Sequence, residues 1–250
     1  MAKTIVITGG SRGIGAATAR LAGKRGWSVA FSYRDNGEAA EATRRAIEAA
    51  GGKAIAVRGD VAREADVVAI FDAAAQAFGM IDGVVNNAGT IIGPPMPVAE
   101  MSLERLEKVV AVNVVGAYLV AREGVRRMGK MRGGRGGVIV NLSSAAAKLG
   151  GPGEYVDYAG SKGAVDSMTI GLAKEVAGKE GIRVVAVRPG MIETEFHALG
   201  GMPDRAERVG GTVPIGRAGT ADEVAETIVW LLSDAASYVT GTIVEVTGGR

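Results

Sequence analysis

Short runs of almost wholly apolar residues alternate along the chain with longer stretches whose apolar positions recur at helical spacing. The short runs predict strands at 3–8, 28–33, 53–58, 82–86, 137–142, 182–188 and 242–247. The longer stretches predict helices at 13–25, 37–50, 63–78, 102–129, 155–179 and 221–233. Strands apolar on both faces belong in a parallel sheet covered by helices on both sides, so the pattern predicts an α/β fold with right-handed crossovers. Thr220-Ala-Asp-Glu223 reads as a capping box at the start of the last helix. No linker or internal repeat interrupts the alternation, and residues 1–250 are expected to form a single domain.

Composition narrows the function classes. Hydrophobic residues make up 47% of the 250, enough for a large core, and the net charge of +2 is spread along the chain. That argues against a nucleic-acid surface, which needs clustered basic residues. Arg-Gly-Gly-Arg-Gly-Gly at 132–137 falls where a helix must turn into a strand and is expected to be a loop. The chain has no cysteine and one histidine, so disulfides and thiolate sites are excluded and no metal site is expected. No apolar run of about 18 residues suggests a membrane span. The N-terminus runs straight into a strand, so a cytoplasmic protein is expected. Asn141-Leu-Ser143 matches a glycosylation sequon but lies at an expected buried strand end.

Thr8-Gly9-Gly10-Ser11-Arg12-Gly13-Ile14-Gly15 follows the first strand and opens the first helix. Glycines there permit a sharp turn and close backbone approach to a pyrophosphate, and a helix N-terminus attracts the anion. The spacing differs from Gly-x-Gly-x-x-Gly and lacks the Gly-Lys-Ser/Thr ending of a triphosphatase loop. The second strand ends Phe31-Ser-Tyr33-Arg34 without the acid that usually holds a ribose 2′-hydroxyl; Asp35 falls just beyond it. Arg12 and Arg34 would instead clamp a 2′-phosphate, so NADP is the expected cofactor. Asp60-Val61 and Asn86-Asn87-Ala88-Gly89 end the third and fourth strands, at the sheet edge where open α/β folds bind ligands. Two amides ending a buried strand demand hydrogen-bond partners.

Tyr158 and Lys162 stand four residues apart, on one helical face. A phenol, with an ordinary pKa of about 10, is a poor acid or base near neutrality. An ammonium group one turn away favours the phenolate and makes the tyrosine usable for proton transfer.

Together these motifs resemble the short-chain dehydrogenase/reductase family, over nearly the whole chain, with Asn113, Ser143-Ser144 and Pro189-Gly190 with Thr194 completing the set. The flavour is closest to glucose 1-dehydrogenase-like and 3-oxoacyl thioester reductase-like members. The resemblance implies a Rossmann-type, doubly wound sheet of about seven strands ordered 3-2-1-4-5-6-7, NAD(P)-dependent interconversion of a carbonyl and an alcohol, and a homotetramer. By the same resemblance Tyr158 is the general acid or base. Lys162 lowers its pKa and holds the nicotinamide ribose, Ser144 polarises the carbonyl, and Asn113 keeps a relay water. Gly9, Ser11, Arg12, Gly13, Ile14, Gly15, Tyr33 and Arg34 would bind the cofactor. Asp60 and Val61 would contact adenine, Asn87, Ala88 and Gly89 the adenosine ribose region, and Pro189, Gly190, Ile192 and Thr194 the nicotinamide. One departure stands out: the usual serine-to-tyrosine gap of thirteen would land on Ala145, whereas Ser144 lies fourteen before Tyr158. Ser144 is preferred as the second serine of Asn-x-Ser-Ser, with Ser143 the alternative.

Residues 190–213, rich in glycine and methionine, read as a substrate lid in which His197 is expected to face solvent. The apolar and polar residues around it leave a sugar and an acyl thioester both open as substrates. Extra apolar positions on 102–129, including Val114, Val115, Leu119 and Val125, fit helix pairing between subunits. The competing class is a dinucleotide-binding sensor that has lost catalysis, since fold alone never fixes function.

Overall fold

The computed structural model describes residues 3–250. Nine strands run β1 Thr4–Ile7, β2 Ser28–Tyr33, β3 Lys53–Arg58, β4 Gly83–Asn86, β5 Gly137–Leu142, β6 Ile182–Pro189, β7 Ile192–Glu193, β8 Gly219–Thr220 and β9 Ile243–Val246. The α-helices are α1 Gly13–Lys24, α2 Gly37–Ala49, α3 Glu64–Phe78, α4 Leu103–Val110, α5 Ala117–Met128, α6 Ala146–Leu149, α7 Val156–Val176, α8 Phe196–Leu199, α9 Arg205–Gly210 and α10 Ala221–Leu232.

Seven strands form one parallel sheet in the order β3-β2-β1-β4-β5-β6-β9. This is the Rossmann-type order that the resemblance implies, with two short strands inserted before the last. The pleat divides each strand between two cores. Ile5 and Ile7 face a layer built from α1, α2 and α10, where Ile47, Ile228 and Leu231 are fully buried. Val6 faces the opposite layer, with Ile70 and Phe71 of α3 and Val120 of α5. Burying one such side chain contributes roughly 1.5–3 kcal/mol. Because the strands are parallel, their carboxyl ends share one edge, and the loops that follow β1, β2, β4 and β5 converge there.

Two predicted segments depart from expectation. The helix over 102–129 is not continuous: a π-helical segment, Ala111–Gly116, separates α4 from α5. Asn113, within this wider turn, bonds both ends of its amide across to Thr90. Gly116 lets the turn close on Val61, whose Cγ2 would lie 2.9 Å from an added Cβ. A π-bulge commonly marks a functional site. The 190–213 stretch, expected to be without regular structure, contains α8 and α9, and its start, β7, pairs with β8. The Thr220–Glu223 capping box is present at α10 in both directions. No helix among the described residues is long and apolar enough to cross a membrane.

Candidate active site

The glycine turn after β1 is built for close approach. Gly9 and Gly13 take left-handed φ of +66° and +53°, conformations that side chains disfavour. A Cβ on Gly15 would collide with the Gly9 carbonyl oxygen and come within 2.5 Å of Asn87 Nδ2. Helix α1 has no side-chain cap and no acid in its first turn, so no side chain claims its leading N–H groups. The turn is pinned to β4: Asn87 Nδ2 donates to the carbonyls of Thr8 and Gly9 at 2.9 and 3.0 Å, and Thr8 Oγ1 accepts from the N–H groups of Asn87 and Ala88, each at 3.1 Å. Asn86 instead donates inward, to Ala117 and Asn141, and Asn141 is itself fully buried and donates to Thr169.

A cavity of about 250 Å³ beside this turn is lined by Gly9, Ser11, Arg12, Gly13, Tyr33, Arg34, Asp60, Val61 and Ala88. A neighbouring one of about 380 Å³ is lined by Ile14, Ser144, Tyr158, Lys162, Pro189, Gly190 and Ile192. Asn87, Gly89 and Thr194 border both, so the two form one cleft along the strand ends. Gly15 alone of the expected cofactor residues lines neither; its role is to let α1 approach the turn. An uncapped helix end, a glycine cradle and two guanidinium groups suit a dinucleotide phosphate. Arg12 pairs with Glu195 at 3.1 Å and Arg34 with Asp35 at 2.6 Å, all four side chains being exposed. Exposed pairs of this kind are worth about 0–1 kcal/mol, so an incoming phosphate can displace either acid. Arg58, absent from the expected set, donates from Nε to the Arg34 carbonyl at 3.2 Å and adds a third guanidinium beside it.

The second cavity holds three of the four catalytic candidates, Ser144, Tyr158 and Lys162; Asn113 is buried behind it and lines neither cavity. Tyr158 and Lys162 sit one turn apart near the start of α7. Ser144 and Tyr158 line the same cavity wall, and the Ser144 hydroxyl is near enough to favour the phenolate against the effect of burial. Ser143 also borders the cavity but is buried, with its Oγ directed to the Lys162 carbonyl at 3.4 Å. The side chains thus favour Ser144 over Ser143; between Ser144 and Tyr158 the chain forms α6 and a turn with left-handed Gly150, Gly151 and Gly153. Lys162 Nζ donates to the Leu142 carbonyl at 2.7 Å and lies 5.8 Å from the Tyr158 ring centroid. Asn113 Nδ2 donates to the Thr90 carbonyl at 2.8 Å and contacts Ser161 Oγ at 3.0 Å, while its Oδ1 accepts from Thr90 N–H at 2.7 Å.

The protonation balance corrects one expectation. Lys162 does not lower Tyr158 here: burial pushes the phenol up to about 12, opposed by the nearby Ser144 hydroxyl. Burial also pulls Lys162 down to about 8, against the pull of Asp166. The ammonium is directed at a backbone carbonyl rather than at the phenol oxygen, and desolvation outweighs what it lends to the ring.

His197 corrects a second. It does not face solvent: it is half-buried in the cavity wall, with Nε2 3.0 Å from the Ile192 carbonyl, and burial lowers its pKa. Sequence reasoning also missed Phe196, whose ring stands 5.8 Å from that of Tyr158 at 50°. Tyr155 is a third omission. Its ring lies between the guanidinium groups of Arg105 and Arg205, at 5.8 and 5.6 Å, and its hydroxyl donates to the Gly200 carbonyl at 2.8 Å. No local pattern marks these residues, because their partners are distant in sequence: Tyr158 of α7 for Phe196, and α4 and the lid for Tyr155.

The family model described as enoyl-(acyl carrier protein) reductase matches residues 9–250. The uncharacterized oxidoreductase YgfF of Escherichia coli (strain K12) is 51% identical over 245 residues, spanning 98% of each chain. A 3-ketoacyl-(acyl-carrier-protein) reductase from Brucella melitensis, solved with NADH, is 34% identical with a TM-score of 0.89, covering 99% of this chain and 98% of its own. A short chain dehydrogenase from Burkholderia cenocepacia J2315, in complex with NADP, is 33% identical with a TM-score of 0.88, covering 99% of this chain and 97% of its own. With the fold and the cleft in place, the chain belongs to the short-chain dehydrogenase/reductase family of oxidoreductases.

Proposed function

We propose that the protein transfers a hydride between NADP(H) and a carbonyl/alcohol substrate, with Tyr158 as general acid and base. The observation that carries this reading is the meeting of Ser144, Tyr158 and Lys162 in a cavity continuous with an uncapped glycine turn. Bound nicotinamide would supply the hydride. The chain's own task is to orient substrate and move one proton. A phenol raised to about 12 stays protonated at neutral pH and is ready to donate to a carbonyl oxygen. The nearby Ser144 hydroxyl favours the phenolate as the proton leaves. Lys162, held by Leu142, puts its charge beneath the same ring. Asn113 fixes Thr90, and with it the strand end beside the cavity; a relay water at Asn113 completes the proposed proton path. Arg12 and Arg34, supported by Arg58, would hold the 2′-phosphate, which supports NADP over NAD. The 190–213 stretch acts as a lid on one catalytic domain. Of the positions expected to pair helices between subunits only Val115 is exposed, since Leu119 and Val125 pack against the core; Val115 with the exposed Val110 and Tyr118, and Ile170 on α7, supports a homotetramer.

The test is loss of nicotinamide absorbance with NADPH and with NADH against a panel of carbonyls. Turnover faster with NADPH is expected; faster turnover with NADH would overturn the cofactor assignment.

A further inference from the structure

Tyr158 is the third residue of α7, and no side chain of the helix itself fixes that end. Tyr155 at the N-cap makes no side-chain capping bond, and the chain before it is a turn with left-handed Gly150, Gly151 and Gly153. A helix end without such partners frays. The residues just ahead of Tyr158 are held from outside instead. Asp157 accepts two bonds from Arg105 of α4, Nε to Oδ2 at 2.7 Å and Nη2 to Oδ1 at 3.3 Å. Both side chains are almost wholly buried, at 5% and 2% exposure. The remaining Arg105 nitrogen, Nη1, donates to the Pro94 carbonyl at 2.8 Å, in the loop that follows β4. The same loop returns a bond, from the Met96 N–H to the Glu154 carbonyl at 3.0 Å.

We propose that Arg105 and Asp157 are positioning residues for Tyr158: they clamp the first turn of α7 to α4 and to the loop after β4, and so fix where the phenol hydroxyl meets the substrate. The proposal rests on the hydride-transfer reading above. A buried ion pair is weak evidence of stability, because well-packed hydrophobic residues of similar volume commonly hold a fold as well. What this pair adds is direction. A bidentate contact between guanidinium and carboxylate fixes angle as well as distance, and Asp157 is joined to Tyr158 by a single peptide bond. Proton transfer needs a reach of about 2.6–3.2 Å, and a displacement of about 1 Å costs on the order of a hundredfold in rate.

The experiment compares the full wild-type chain with Arg105→Lys and with the double variant Arg105→Met/Asp157→Leu, which removes both charges and leaves neither buried alone. Each is measured for thermal unfolding, NADPH affinity, kcat with the best carbonyl of the panel, and the solvent deuterium isotope effect on kcat. The double variant is expected to keep its unfolding midpoint and to bind NADPH within about twofold of wild type. Its kcat should nonetheless fall by about 10–100-fold with a larger solvent isotope effect, because proton transfer then limits the rate. Arg105→Lys keeps the charge without the fork and should fall between the two; it carries the comparison alone if the double variant does not fold. A variant as fast as wild type, or a loss of kcat matched by an equal loss of NADPH affinity, would overturn the proposal. A second readout is independent of turnover. In protein carrying meta-fluorotyrosine, the fluorine NMR line of Tyr158 is identified by its absence in Tyr158→Phe. That line should shift or split in the variants while those of Tyr33, Tyr118 and Tyr238 stay in place; an unmoved Tyr158 line would also overturn the proposal. A moved line in a protein whose wild type turns over no carbonyl would uphold the clamp and remove the hydride-transfer reading.

Discussion

Lys162 Nζ donates to the carbonyl of Leu142 at 2.7 Å, which ties α7 to the last residue of β5 beneath the Tyr158 ring. The bond fixes the ammonium in depth and direction, and it explains why proximity to Tyr158 does not by itself lower the phenol's pKa. Charge is delivered to this site by a backbone contact from the sheet edge, not by the helical spacing alone.

That burial has a pH signature. Lys162 falls from its ordinary 10.5 to about 8. Between those values the unfolded chain holds a proton that the folded chain has released, so this group's contribution makes stability rise with pH. Tyr158, raised from 10.0 to about 12, works the other way above pH 10. Urea unfolding at pH 8 and 9.5 should show wild type gaining on Lys162→Met, by at most about 1.4 kcal/mol per pH unit. Parallel curves would contradict the buried, shifted lysine.

The Tyr155 ring holds the lid to the body. Tyr155→Phe removes the Gly200 hydrogen bond, worth about 1 kcal/mol, and keeps both cation–π contacts. Tyr155→Leu removes all three and should cost roughly 1–2 kcal/mol more. Limited proteolysis within 190–213 should accelerate in the order wild type, Phe, Leu. Equal cleavage rates would mean that the lid is held elsewhere.

Arg12 and Arg34 face the cleft with acids as their present partners. Replacing both by Ala should weaken NADPH by at least about tenfold and leave NADH little changed, because each charge-assisted hydrogen bond is worth about 1.5–3 kcal/mol. Titration of cofactor fluorescence with both nucleotides checks this. Equal losses would place the 2′-phosphate elsewhere.

Light scattering should give about four times the 25.5 kDa chain mass. Tyr118→Asp, at a position 53% exposed, should break the assembly without unfolding the chain. A monomeric wild type would remove the homotetramer.

The sheet was legible because its signal is local. The boundaries of β2, β3 and β5 coincide with the apolar runs at 28–33, 53–58 and 137–142; β2 and β5 are buried through their middles and admit little polar sequence, while the edge strand β3 is only partly buried and is marked by its charged ends Lys53 and Arg58. The site residues were legible as motifs placed at strand ends and one helical turn apart. What escaped depends on distant partners. The break at 111–116 is fixed by Asn113 bonding to Thr90, 23 residues away, so the helical pattern of 102–129 gives no sign of it. His197 is drawn into the cavity wall by the Ile192 carbonyl, and its polar character suggested solvent instead. Helices α8 and α9, four and six residues long, are too short to leave a periodic signal.

The most direct test of the central claim is Tyr158→Phe, assayed for turnover and for cofactor affinity on the same preparation. The ring, its packing against Phe196 and the charge of Lys162 all survive this change; only the hydroxyl is lost. General acid–base catalysis contributes about 10²–10⁴-fold, so kcat should fall by that order while NADPH affinity stays within about twofold. Turnover retained at near wild-type rate would contradict Tyr158 as the proton donor.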